Sequence, residues 1–97
     1  MNADTARGIE RIKANGYWRE GTTLGEGGWN RVYTFAENWH KYHLYNLDES
    51  TVEPIFTIIA KDDETAIKAF SDLFHLGEFA HEVYRVETKA TLILEQL

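Results

Sequence analysis

The sequence has no cysteine. That removes disulfide staples, thiolate zinc sites, iron–sulfur clusters and thiol nucleophiles together. A secreted domain of this size commonly needs such staples, so a reducing, cytoplasmic setting is expected. Proline occurs once, at Pro54, where it closes the polar connector DESTVEP. No apolar run approaches the roughly 20 residues of a membrane span. The start, MNADTARGIERIK, lacks the apolar core of a signal peptide. No Asn-x-Ser/Thr acceptor occurs. Basic residues are also scarce, with 10 Lys and Arg against 16 Asp and Glu. Direct nucleic-acid binding, which needs Lys and Arg to displace counterions, is therefore not expected.

What remains is 97 residues, 43% hydrophobic and 13% aromatic, with net charge −6. This length makes one domain, spanning 1–97, and its aromatic and β-branched content argues against disorder. The charge is uneven. Residues 1–28 balance at four acids and four bases, whereas residues 48–97 carry eleven acids against four bases. That acidic C-terminal half allows a basic partner, including a basic nucleic-acid-binding protein. It also serves solubility.

Along the chain, a first helix is expected over residues 4–15. Asp4 or Asn2 caps it, Asn15-Gly16 stops it, and Ala6, Ile9 and Ile12 form a thin apolar stripe. EGTTLGEGG (20–28) is a glycine-rich loop. WNRVYTFA, rich in β-formers, is expected as a strand, turned at Glu37-Asn38 into a return strand, WHKYHLYNL. The run IFTIIA (55–60) has the composition of a strand buried on both faces. Asp62 or Asp63 caps a helix reaching Leu76, with Ala66, Ala69, Phe70 and Leu73 at 3/4 spacing and Gly77 as its stop. EVYRVE and ATLILEQL follow as strands joined at Thr88-Lys89. The order α-β-β-β-α-β-β implies an α+β fold, with a mostly antiparallel sheet and helices packed on one face. The segment 55–87 forms a crossover if its two strands run parallel.

Three stretches invite chemistry. Glu37-x-x-His40-x-x-His43 gathers metal ligands only if 37–47 is a helix; on a strand the odd spacing sends the two histidines to opposite sides, so no metal is expected. Gly25-x-Gly27-Gly28 resembles a phosphate-binding turn, but such turns open a helix, and these glycines precede an expected strand. Asp62, Asp63 and Glu64 suit a helix N-terminus. Ser50 and Ser71 sit in no nucleophile motif, so no catalytic residue and no cofactor is assigned.

The segment GWNRVYTFAENWHKYHLYNL (28–47) holds six of the thirteen aromatics. With a two- or four-residue turn at Glu37-Asn38, Trp29, Arg31, Tyr33 and Phe35 join His40, Tyr42 and Leu44 on a core face. Val32, Thr34, Trp39, Lys41, His43 and Tyr45 then point outward. Trp39, Lys41, His43 and Tyr45 are the interface candidates, since aromatic anchors beside a cation suit protein recognition.

The expected function is therefore a non-enzymatic interaction module. It would bind a protein partner through this aromatic face or the acidic half. Small size, acidity and lack of cysteine make the chain similar in composition to inhibitor proteins of phages and mobile elements, anti-CRISPR proteins among them. That resemblance rests on no motif and implies an inhibitor role. The alternative is a small-ligand binder or accessory enzyme subunit whose pocket is lined by the glycine loop and the aromatics. A homodimer through the edge strand ATLILEQL is compatible with either.

Overall fold

A computed structural model of the chain describes residues 2–46, 53–74, 81–86 and 90–96. Helix α1 (Ala3–Asn15) begins at Asn2, whose side chain accepts a hydrogen bond from the Thr5 N–H at 2.8 Å. It ends at Gly16, in the left-handed region at φ 79°, with the Gly16 N–H donating to the Ile12 carbonyl. Only glycine takes that conformation without strain. Thr5, Ile9 and Ile12 are the buried face, and Ala6, expected on it, is exposed. A short strand β1 (Tyr17–Arg19) follows directly.

The largest departure from expectation comes next. Gly28–Phe35 is a helix, α2, not a strand. Its residues are good β-formers, but Val32 and Ala36 are buried at helical spacing, and that burial outweighs propensity. The Glu37-Asn38 turn exists, yet it joins a helix to a strand. WHKYHLYNL is a strand as expected, β2 (His40–Asn46). The expected pairing of 29–36 with 39–47 therefore does not form. Instead β2 lies between β3 (Phe56–Ala60) and β4 (His81–Val86).

The sheet has the order β1-β3-β2-β4-β5, with every neighbour antiparallel and β5 spanning Ala90–Gln96. The expected α+β class holds and the element order is roughly the expected one, but the first expected strand is α2, and β1 falls in a stretch to which no element was assigned. Because β3 and β4 both run antiparallel to β2, they are parallel to each other. The helix α3 (Asp63–Phe74) crosses between them. The Thr88-Lys89 turn and the Gly77 stop lie outside the described residues. A register shift between Val83 and Tyr84 interrupts the alternation expected of Ala90, Leu92 and Leu94.

Two cores flank the sheet, so the helices do not share one face. Phe56, Ile58 and Ala60 of β3, with Tyr42, Leu44 and Val83, meet Ala66, Ala69 and Phe70 of α3. On the opposite face Ile9, Ile12, Trp18, Val32 and Ala36 bring α1 and α2 against β1, with Ile59 beneath. The residues expected as one core row are split accordingly. Tyr42 and Leu44 are fully buried under α3, Trp29 and Phe35 join the other cluster, and Arg31 and Tyr33 are exposed. Leu73, expected inward, is also exposed.

Asp62 caps α3 by accepting from the Thr65 N–H at 2.7 Å, and hydrogen bonds from the Thr65 hydroxyl and then its N–H hold the carboxyl below the usual range. Asp63 then ties three elements together. The buried Tyr42 hydroxyl donates to it at 2.6 Å, and the Arg85 guanidinium reaches both its oxygens at 3.1–3.2 Å. Burial and the Asp63 contact push the Tyr42 hydroxyl well above its ordinary range, so it remains a neutral donor. The group acts as a brace between the start of α3 and the sheet.

Two substitutions test this packing. Tyr42→Phe keeps the ring and loses the Asp63 hydrogen bond, so denaturant unfolding should show a loss of about 1–2 kcal/mol. An ideal Cβ on Gly25 would lie 2.0 Å from the Oγ1 of buried Thr5. Gly25→Ala should therefore cost about 1–3 kcal/mol, and much less in a Thr5→Ala background, where the obstructing atom is gone.

Candidate functional site

The cluster on the α1/α2 face is built around Trp18. This residue is 7% exposed, and its ring lies 5.2 Å from Trp29, 5.6 Å from Trp39 and 6.1 Å from Tyr33, centroid to centroid. Trp29 and Tyr33 arrive from α2, and Trp39 from the turn that leads into β2. Trp18 points to this face because its neighbours in β1, Tyr17 and Arg19, point to the other. Arg19 stacks its guanidinium 4.2 Å above Phe56 there. Trp29 and Tyr33 are one helical turn apart on α2 and tilt against each other at 6.1 Å. Trp39 leads into β2 and packs on Phe35 at 5.6 Å.

These rings do not close over one another. They wall an open groove of about 400 Å³, completed by Glu20, Gly21, Thr22, Glu37 and Lys41. Tyr33 stands at its lip, 56% exposed. Lys41 Nζ lies 3.5 Å from Glu20 Oε1 with both side chains about half exposed, a rim pair worth about 0–1 kcal/mol.

Of the sequence candidates, Trp39 and Lys41 line this groove, and His43 and Tyr45 extend the same sheet face beyond it. His43 Nδ1 lies 3.4 Å from the Tyr45 hydroxyl. Tyr45 meets Tyr84 edge-on at 5.5 Å, and the Tyr84 hydroxyl donates to Glu82 at 2.9 Å. All four candidates therefore share one face, and Trp39 is half-buried rather than standing free. Val32, expected outward with them, is fully buried. Trp18, Trp29, Tyr33 and Glu20 were not among the candidates. The i, i+4 pair Trp29 and Tyr33 was visible in the sequence, but only to a helical assignment.

The other chemical readings take definite positions. His40 turns to the α3 side with Tyr42, 6.3 Å between rings, while His43 turns away with Tyr45. Residues 40–46 are strand, so Glu37, His40 and His43 do not converge. The glycine loop does open a helix, contrary to expectation. Gly27, at φ 79°, caps α2 with no side-chain hydrogen bond, and no Lys-Ser/Thr follows. Ser71 is exposed on α3. Ser50 lies outside the described residues. No helix among the described residues is long and apolar enough to cross a membrane. Comparison with protein-family models, with characterised proteins and with solved structures finds no match.

Burial, and then the Lys41 ammonium, hold the His43 imidazole below its ordinary 6.5, with Glu20 opposing. The unfolded chain therefore binds this proton at higher pH than the folded chain does. Stability is intact above pH 6.5 and falls as the pH drops from there toward the lowered native value. Denaturation midpoints taken between about pH 7 and pH 5 should decline for the natural chain and decline less for His43→Gln. An unchanged slope would show that the ring is solvated in the folded state.

Proposed function

We propose that this chain is a non-enzymatic interaction module of the inhibitor type, which binds a protein partner through the aromatic groove and the β2 face beside it. The observation that carries this reading is the convergence of all three tryptophans and Tyr33 on one open groove, rimmed by Lys41, Glu20 and Glu37. Aromatic anchors inside a charged rim are where interfaces concentrate their binding energy. His43, Tyr45 and Tyr84 extend the contact along the sheet. The acidic C-terminal half supplies a second contact for a basic, nucleic-acid-binding partner, with Asp62 exposed just before α3 and Glu64 and Asp72 exposed on it. A cytoplasmic setting fits the absence of cysteine.

A small-ligand reading draws on one feature of the same groove. Its volume of about 400 Å³ falls in the range of ligand pockets, and Gly21 and Thr22 of the glycine-rich loop line it beside the rings. Tryptophan emission titrated with nucleotide and metabolite pools separates the two. A saturable response favours the ligand.

For the interaction reading, a partner retained on the immobilised chain should lose affinity by at least about tenfold with Tyr33→Ala combined with Lys41→Glu. Both residues are exposed, so circular dichroism of the double variant should match the parent. Unchanged affinity in a folded variant would sink the groove as the contact surface.

A further inference from the structure

A second depression, of about 640 Å³, runs along the free edge of β1 between one side of α1 and the 22–25 loop. The sheet order leaves β1 with a single neighbour, β3. The Lys61 N–H donates to the Gly16 carbonyl and the Glu20 N–H to the Thr57 carbonyl, both at 2.9 Å. In an antiparallel ladder this parity aims the main-chain groups of residues 16, 18 and 20 at β3 and those of Tyr17 and Arg19 away from it. The Arg19 carbonyl is taken by the Thr22 N–H at 3.1 Å. Among the described residues no main-chain partner meets the Tyr17 N–H, the Tyr17 carbonyl or the Arg19 N–H. Both residues line the depression.

The charge of this groove opposes that of the chain. Arg7, Arg11 and Arg19 line it against Asp4 alone, in a protein of net charge −6. Arg7 pairs with Asp4. The Arg19 guanidinium turns to the opposite face, 4.2 Å over the Phe56 ring, so Arg7 and Arg11 supply the positive charge on the α1 side. Arg11 has no ion-pair partner among the described residues.

We propose that this groove takes an extended acidic peptide segment of a partner protein as an added strand beside β1. The free donors and acceptor of Tyr17 and Arg19 would pair with its main chain, as in other cases of strand addition to a sheet edge. Successive side chains of an added strand alternate between its faces, so acids at every second position would present a row of carboxylates to Arg7 and Arg11 on the α1 side. β1 offers only three residues, so the arginines must supply much of the affinity, and binding should weaken with added salt. This site meets the aromatic groove only at Trp18 and Thr22 and stands independently of it.

The test is selection from a random-peptide display library on the folded chain, followed by affinity measurement with the selected peptides. Enriched sequences should carry Asp or Glu at alternate positions. Arg11→Glu should weaken them at least about tenfold, as should Arg11→Gln if the charge reversal perturbs folding. Methylating the peptide amides on the β1 side should do the same, and Tyr33→Ala should change nothing. The proposal is overturned if no acidic peptide is enriched, if Arg11→Gln or amide methylation leaves binding intact, or if Tyr33→Ala abolishes it. It is also overturned if inorganic phosphate binds with the same Arg11 dependence and no peptide does. Failure here leaves the groove of Trp29 and Tyr33 untouched, because that reading rests on the Tyr33 and Lys41 variants.

Discussion

The fold depends on one strand having no solvent face. β3 is buried along nearly its whole length, with Phe56, Ile58 and Ala60 on one side and Thr57 and Ile59 on the other. A strand apolar on both sides must be covered on both sides. That requirement divides the helices. α3 takes one face and α1 with α2 take the other, and each lies over a different part of the sheet. Ile59 joins Ile9, Ile12 and Trp18 in the apolar floor on which α2 rests.

The aromatic groove is a by-product of how α2 meets that floor. Eight residues give little over two turns, too short to be stable alone, so tertiary contact must hold them. Val32 and Ala36 are small enough to sit flush, while Trp29 and Tyr33 stand beside them and cannot all be covered by β1 and β2. The outcome is a half-buried stack with one edge open. The same face continues past the groove along β2 with His43 and Tyr45. Tyr42, one position off, is fully buried and hydrogen-bonded to Asp63. A single register step along β2 therefore separates the brace of the fold from its exposed surface.

Much of this was legible in the sequence, and the failure has a definite cause. IFTIIA announced β3 through its continuous β-branched run, and the acids at 62–64 announced the start of α3. Period-two alternation put Tyr42 and Leu44 inward and Trp39, Lys41, His43 and Tyr45 on the other face. The stretch WNRVYTFA misled because it has strong β-formers and no side-chain cap, so both local signals pointed to strand. Its helical burial at Val32 and Ala36 was visible only as a spacing. That one misassignment hid the groove, since Trp29 and Tyr33 share a face on a helix with Trp18 beneath them. It also placed the glycines before a strand rather than before a helix. β1 is three residues long and carries no alternation that a sequence can display.

The central claim is that the aromatic groove and the adjoining β2 face form the working surface. A proton–nitrogen correlation spectrum of the labelled chain, with and without its bound partner, tests this most directly. The account predicts that the three indole N–H signals and the amides of Tyr33, Lys41 and His43 shift or broaden together, while those of Ile58 and Ala60, buried beneath α3, stay in place. Perturbation confined to α3, with the indole signals unmoved, would contradict it.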